Sequence, residues 1–185
     1  MGTDLQCTQS ILICTQTFPP RLGGMEAVMY SLATTFSDNG FDVLVAADKP
    51  WNKPESFAVL SAGVPRFMRS WFKRTQLSIR RFRPDITICD SWKSVSAVPK
   101  GNNRLIVLAH GQEYLSSSTN RRAAISKALA RAELVIASSN MTAELVRQIA
   151  PDKRIEVIYP TYMLKAPETV VSARNNAVPQ ILSLC

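Results

Sequence analysis

Short apolar runs, each the length of one β-strand, alternate along this chain with stretches of helical periodicity. The runs are Ile11–Thr15, Phe41–Ala47, Phe57–Leu60, Asp85–Cys89, Arg104–Ala109, Leu134–Ala137 and Ile155–Tyr159. Between them, Met25–Asp38, Pro65–Arg83, Arg121–Arg131 and Asn140–Ile149 read as helices, the first closed by Asn39-Gly40. Strands that are apolar throughout must be covered on both faces, which is the habit of parallel sheets. The expected fold is therefore α/β: a Rossmann-like, doubly wound, mostly parallel sheet with helices on both faces. In such sheets ligands bind beyond the carboxyl ends of the strands. Chemistry is to be sought in the loops 15–24, 89–93, 110–114, 138–140 and 159–162.

Composition removes several classes. With 46% hydrophobic and 19% charged residues in 185, the chain is neither disordered nor collagen-like nor a disulfide-held mini-protein. Its four cysteines, Cys7, Cys14, Cys89 and Cys185, form no C-x-x-C pair, and His110 is the only histidine, so no metal site is expected. Met1–Ser10 is polar, unlike a signal peptide, and no run approaches the roughly 20 apolar residues that span a bilayer. A cytoplasmic location is expected, at the inner face of the membrane if the basic surface described next engages lipid.

The formal charge is +8, and much of it is concentrated. Pro65–Arg83 contains Arg66, Arg69, Lys73, Arg74, Arg80, Arg81 and Arg83 and no acid. At about 100° per residue, Met68, Phe72, Thr75, Ile79 and Phe82 share a face, extended by Phe67 and Trp71. One reading is a core-packed helix with a solvated basic back. The other is a surface helix whose Arg69, Trp71, Lys73, Arg80 and Arg81 touch anionic phospholipid or the phosphates of a lipid-linked acceptor. No nucleic-acid motif is present, so no nucleic acid partner is expected.

The loop Phe18–Glu26 (FPPRLGGME) follows a strand and opens a helix. Gly23 and Gly24 permit close backbone approach at a helix N-terminus, which suits a phosphate, with Arg21 alongside; the plain alternative is a strand-to-helix turn. The loop is neither G-x-G-x-x-G nor a P-loop. His110 falls at the carboxyl end of a strand, where it is either a substrate contact or an internally satisfied histidine. Glu113 either orients His110, binds an acceptor hydroxyl, or is a solvated loop acid. Ser139 reads first as a helix cap.

Several motifs occur in a telling order. FPPRLGGMEAVMYSLATTFSDNGFDVLVAA is followed by Pro84-Asp85-Ile86, Leu108-Ala-His-Gly111 with Glu113, AELVIASS at Ala132–Ser139, and IEVIYP at Ile155–Pro160. This set resembles the amino-terminal half of family 4 glycosyltransferases. The resemblance implies a GT-B enzyme of two Rossmann-like domains, with retention of anomeric configuration, no bound metal and no cofactor beyond a nucleotide-sugar co-substrate. It implies that the catalytic-site histidine is His110, that Gly23, Gly24, Arg21, Glu113 and Ser139 bind substrate, and that the acceptor is a glycan or lipid-linked. The nucleotide-sugar donor would be gripped mainly by a carboxyl-terminal domain missing from this chain. The implied organisation is an acceptor-side domain over 1–160, a linker over 161–180 and the first strand of a truncated second domain over 181–185, with the chain alone inactive. Two departures stand out. Met163 occupies the place of the family's usual hinge acid, and Asp90-Ser-Trp92 stands where many members have a histidine-containing strand end. The competing reading is a non-catalytic α/β binding module that docks on anionic membrane or nucleic acid.

Overall fold

The computed structural model describes residues 9–51, 53–80, 82–101, 104–116 and 118–159. They form β1 (Ser10–Cys14), α1 (Gly24–Asp38), β2 (Asp42–Ala47), β3 (Ala58–Ser61), α2 (Arg69–Ile79), β4 (Ile86–Cys89), β5 (Arg104–Ala109), α3 (Thr119–Leu129), β6 (Leu134–Ala137), α4 (Asn140–Arg147) and β7 (Ile155–Val157). The seven strands make one sheet in the order β3-β2-β1-β4-β5-β6-β7, every pair parallel. The Rossmann-like, doubly wound expectation holds, and the sheet is wholly parallel.

Strand alternation divides the core in two. Leu12, Cys14, Leu44, Cys89, Leu105, Val107 and Val135 point to one face, where they pack with Leu77 of α2, Ile125 and Leu129 of α3 and Val146 of α4. Ile11, Ile13, Val43 and Val45 point to the other, against Met29 and Ala33 of α1 and the ring of Phe18. Right-handed crossovers explain this division. The chain steps from β1 to β2 in one direction and from β4 to β7 in the other, so the covering helices fall on opposite faces. Cys14 and Cys89 are register partners on β1 and β4, both fully buried free thiols.

The basic segment departs from expectation. A 3-10 turn at Arg66–Met68 precedes α2, which ends at Ile79 rather than running on to Arg83. The buried positions of α2 are Lys73 and Leu77, whereas Ile79 is 68% exposed and Trp71 56% exposed. The helix is turned so that an ammonium, not an apolar stripe, meets the sheet. The linker and terminal strand expected at 161–185, and Arg81, lie outside the described residues.

Candidate functional site

Between β1 and β4 the sheet reverses its winding, and the loops leaving these strands diverge to opposite faces. Such a switch point opens a crevice at the carboxyl edge. Here it is a cleft of 290 Å³ whose lining includes Gln16, Thr17, Asp90, Lys93, His110 and Glu113.

Asp90 follows β4 and is 3% exposed. Its Oδ2 receives the Gln16 N–H at 2.7 Å, the Thr17 N–H at 3.1 Å and the Thr17 hydroxyl at 3.0 Å, with the Thr15 hydroxyl at 2.8 Å. Its Oδ1 receives the hydroxyls of Ser94 and Ser91. A buried carboxylate is stable only when so supplied with donors. The turn after β1 is thereby fastened to the end of β4.

His110 follows β5, the strand beside β4, and lines the same cleft as Asp90. Its ring lies near the Asp90 main chain. Burial lowers its pKa below the usual 6.5, against the opposing charge and main chain of Asp90, so the imidazole is neutral at pH 7. Nε2 is buried without a protein partner. Gly111, with φ +82°, turns the chain in a conformation that favours glycine and brings Glu113 into the same cleft. Burial, reinforced by the charge of Asp90, raises the Glu113 carboxyl to about 7, against a His110 backbone bond and the cations Lys93 and Arg121. Glu113 Oε1 is likewise buried and unpartnered. Two unsatisfied polar atoms in one cleft suit the hydroxyl groups of a polar small molecule.

The other expected site residues are placed as follows. Gly23 caps α1, accepting from the Ala27 N–H at 3.1 Å. The Glu26 carboxylate folds back so closely that it would collide with a Cβ on Gly23. Glu26 is 5% exposed and pairs with Arg21 at 3.4 Å, so Arg21 is engaged within the chain and the Gly-Gly turn carries the protein's own carboxylate. A Cβ at Gly24 would meet open space. Ser139 caps α4, its Oγ accepting from the Thr142 N–H at 3.1 Å. The cap reading of Ser139 accounts for its hydroxyl.

Lys73, expected among membrane or phosphate contacts, is instead 1% exposed. Its Nζ donates to Asp48 Oδ1 at 2.7 Å and to the Thr15 carbonyl at 3.1 Å. Burial acts against the ammonium, but the Cys14 sulfur, Asp48 and Asp90 outweigh it and hold its pKa above the usual lysine value. Arg69 joins Asp48 at 3.5 Å and also bonds the Val64 carbonyl. Of the expected contacts among the described residues, Trp71 and Arg80 are exposed, as is Phe67 at 86%. A second hollow, of 910 Å³, lies at the amino ends of the strands, where the Asp85 carboxylate is already taken by the Ser10 N–H and hydroxyl.

Three residues of this edge escape a reading of the sequence. Asp90 appears there only as a departure from a family pattern, Glu26 as one acid of a loop, and Asp48 not at all. A usable signal for Asp90 existed: an acid ending one apolar run, and donor-rich Thr15-Gln-Thr17 ending another. Among the described residues, no group of three or more His, Cys, Asp or Glu is placed to hold a metal ion. No described helix is long and apolar enough to cross a membrane.

Comparison with known proteins supplies a family. Residues 22–162 match the family described as Glycosyltransferase Family 4. No curated protein matches the chain in sequence. Among solved structures, sucrose-phosphate synthase from Thermosynechococcus elongatus is similar in fold, with a TM-score of 0.54 and 18% identity, over 83% of this chain and 89% of that one.

Proposed function

Since this chain belongs to glycosyltransferase family 4, we propose that it is the acceptor-side half of a GT-B enzyme moving a sugar from a nucleotide-sugar to an acceptor hydroxyl. The observation that carries this reading is the cleft at the switch point, where His110 Nε2 and Glu113 Oε1 are buried and unpartnered. A neutral imidazole accepts from a sugar hydroxyl, and a carboxyl poised near neutrality both donates and accepts. The reaction is retaining and metal-independent, with the nucleotide-sugar as co-substrate and no resident cofactor. The donor is held mainly by a second domain of such an enzyme.

The acceptor is lipid-linked or a glycan at a membrane surface. This rests on Phe67, Met68 and Trp71, which are exposed on the segment that carries the exposed Arg66 and Arg74. The Lys73–Asp48 pair holds the start of α2 at the carboxyl edge of the sheet, the edge that bears the cleft. Apolar rings flanked by cations are suited to anionic headgroups.

His110 is the sole histidine, so its imidazole gives one proton NMR signal of its kind. Free glucose, mannose or galactose should shift that signal, and no shift with any of them overturns the sugar-binding cleft. The 185-residue chain should not turn over UDP-glucose or GDP-mannose. Turnover at an ordinary enzymatic rate, roughly 1 s⁻¹ or faster, overturns the half-enzyme assignment.

A further inference from the structure

We infer that Asp90 is a positioning residue, whose buried carboxylate joins the turn after β1 to the end of β4 and so builds the wall of the cleft that His110 and Glu113 share. It is not itself a substrate ligand. Both of its oxygens are consumed by donors from Gln16, Thr17, Ser91 and Ser94, with Thr15 at hydrogen-bond distance. What it offers the site is indirect. Its side chain holds Gln16 and Thr17 as one wall of the cleft, opposite which His110 Nε2 is buried without a partner. Nε2 is thereby left for a substrate hydroxyl to meet.

The carboxylate also acts through its charge on both neighbours. It raises the pKa of His110 and that of Glu113, with Lys93 and Arg121 opposing it at Glu113. One buried negative charge therefore keeps Glu113 protonated to higher pH and tempers the burial of the imidazole. The role in sugar transfer rests on the family reading above, but the placement of these groups does not.

The test uses the Asp90→Asn variant of this chain, which keeps the shape and one acceptor while removing the charge and setting an NH₂ against the converging donors. NMR titration should show the His110 pKa lower by roughly one unit, as expected for the loss of a charge at close range. Amide exchange at Gln16 and Thr17 should be at least about tenfold faster, a loss of roughly 1.4 kcal/mol of local protection. Thr17→Val, which removes one donor and no charge, covers the case in which Asp90→Asn does not fold. It should speed the exchange of the Gln16 amide and leave the His110 pKa unchanged. A folded Asp90→Asn with an unmoved His110 pKa makes Asp90 merely structural and overturns the inference. So does Thr17→Val with unaltered amide exchange. Neither result depends on a sugar being bound, so failure here is separate from failure of the transferase reading.

Discussion

Replacing Lys73 by Met tests how α2 is held to the sheet. Met matches the length of the lysine stem, so packing against Leu77 and its neighbours is kept while the ammonium is lost. Two partners lose their donor: Asp48 Oδ1 at 2.7 Å and the Thr15 carbonyl at 3.1 Å. Removing one member of a buried ion pair costs about 3–5 kcal/mol, because the remaining charge is uncompensated. Arg69 still lies 3.5 Å from the other oxygen of Asp48, which places the expected loss near the lower end, at about 3 kcal/mol. For a chain of this size that is a fall in Tm of roughly 6–12 °C. Urea unfolding followed by circular dichroism should show a lower midpoint with an unchanged slope. Lys73→Met combined with Asp48→Asn should recover part of the loss, since both charges are then gone. A loss under about 1 kcal/mol, the worth of an exposed pair, would mean that Lys73 reaches solvent, as a membrane contact requires, and would refute the packing described for α2.

Glu113→Gln should remove a pH dependence of stability. The folded carboxyl titrates at about 7 against 4.5 ordinarily, so the folded state binds this proton more tightly. The contribution is complete below pH 4.5 and disappears as pH rises through about 7, to a difference of up to about 3 kcal/mol. His110, with its lowered pKa, slopes the opposite way, so the quantity to measure is the difference between wild type and Glu113→Gln across pH 4–8. A constant difference would contradict the burial of Glu113. Gly23→Ala should cost about 1 kcal/mol by displacing the Glu26 carboxylate from Arg21, and almost nothing when Glu26→Ala is already present, as a double-mutant cycle will show. The chain should sediment with vesicles containing phosphatidylserine and be released by salt. Arg74→Glu with Arg80→Glu, or Phe67→Ser with Trp71→Ser, should each weaken that binding about tenfold or more; equal binding by all three proteins would exclude a membrane role for α2.

Much of the sheet can be read directly from hydrophobic runs. Arg104–Ala109 and Leu134–Ala137 are strands with the limits that the sequence suggests. Such runs are legible because a strand buried on both faces admits little else. His110 and Glu113 are legible for a related reason, since they follow a strand at the edge where such sheets bind ligands. The rotation of α2 is not legible. Counting apolar residues selects the Phe72–Ile79 side, whereas the helix is set by an ion pair to Asp48, a residue just past β2. Asp90 is obscure for the same physical reason. Its long-range donors come from the turn after β1, and only the strand order β1-β4 reveals that they are neighbours.

The pairing of β1 with β4 also bears on how this protein comes to exist as it is synthesised. Asp90 and the turn it fastens are 73–75 residues apart along the chain. The unit β1-α1-β2-β3 can assemble from contacts closer in sequence, but it leaves one side of β1 as an open strand edge. Until Ile86–Cys89 has left the ribosome, Ile11–Cys14 offers unpaired backbone to any extended segment nearby, including another nascent copy. A chain halted before residue 86 thus has an adhesive edge and no cleft, and the pairing that closes the edge is the one that brings Asp90 to the turn after β1.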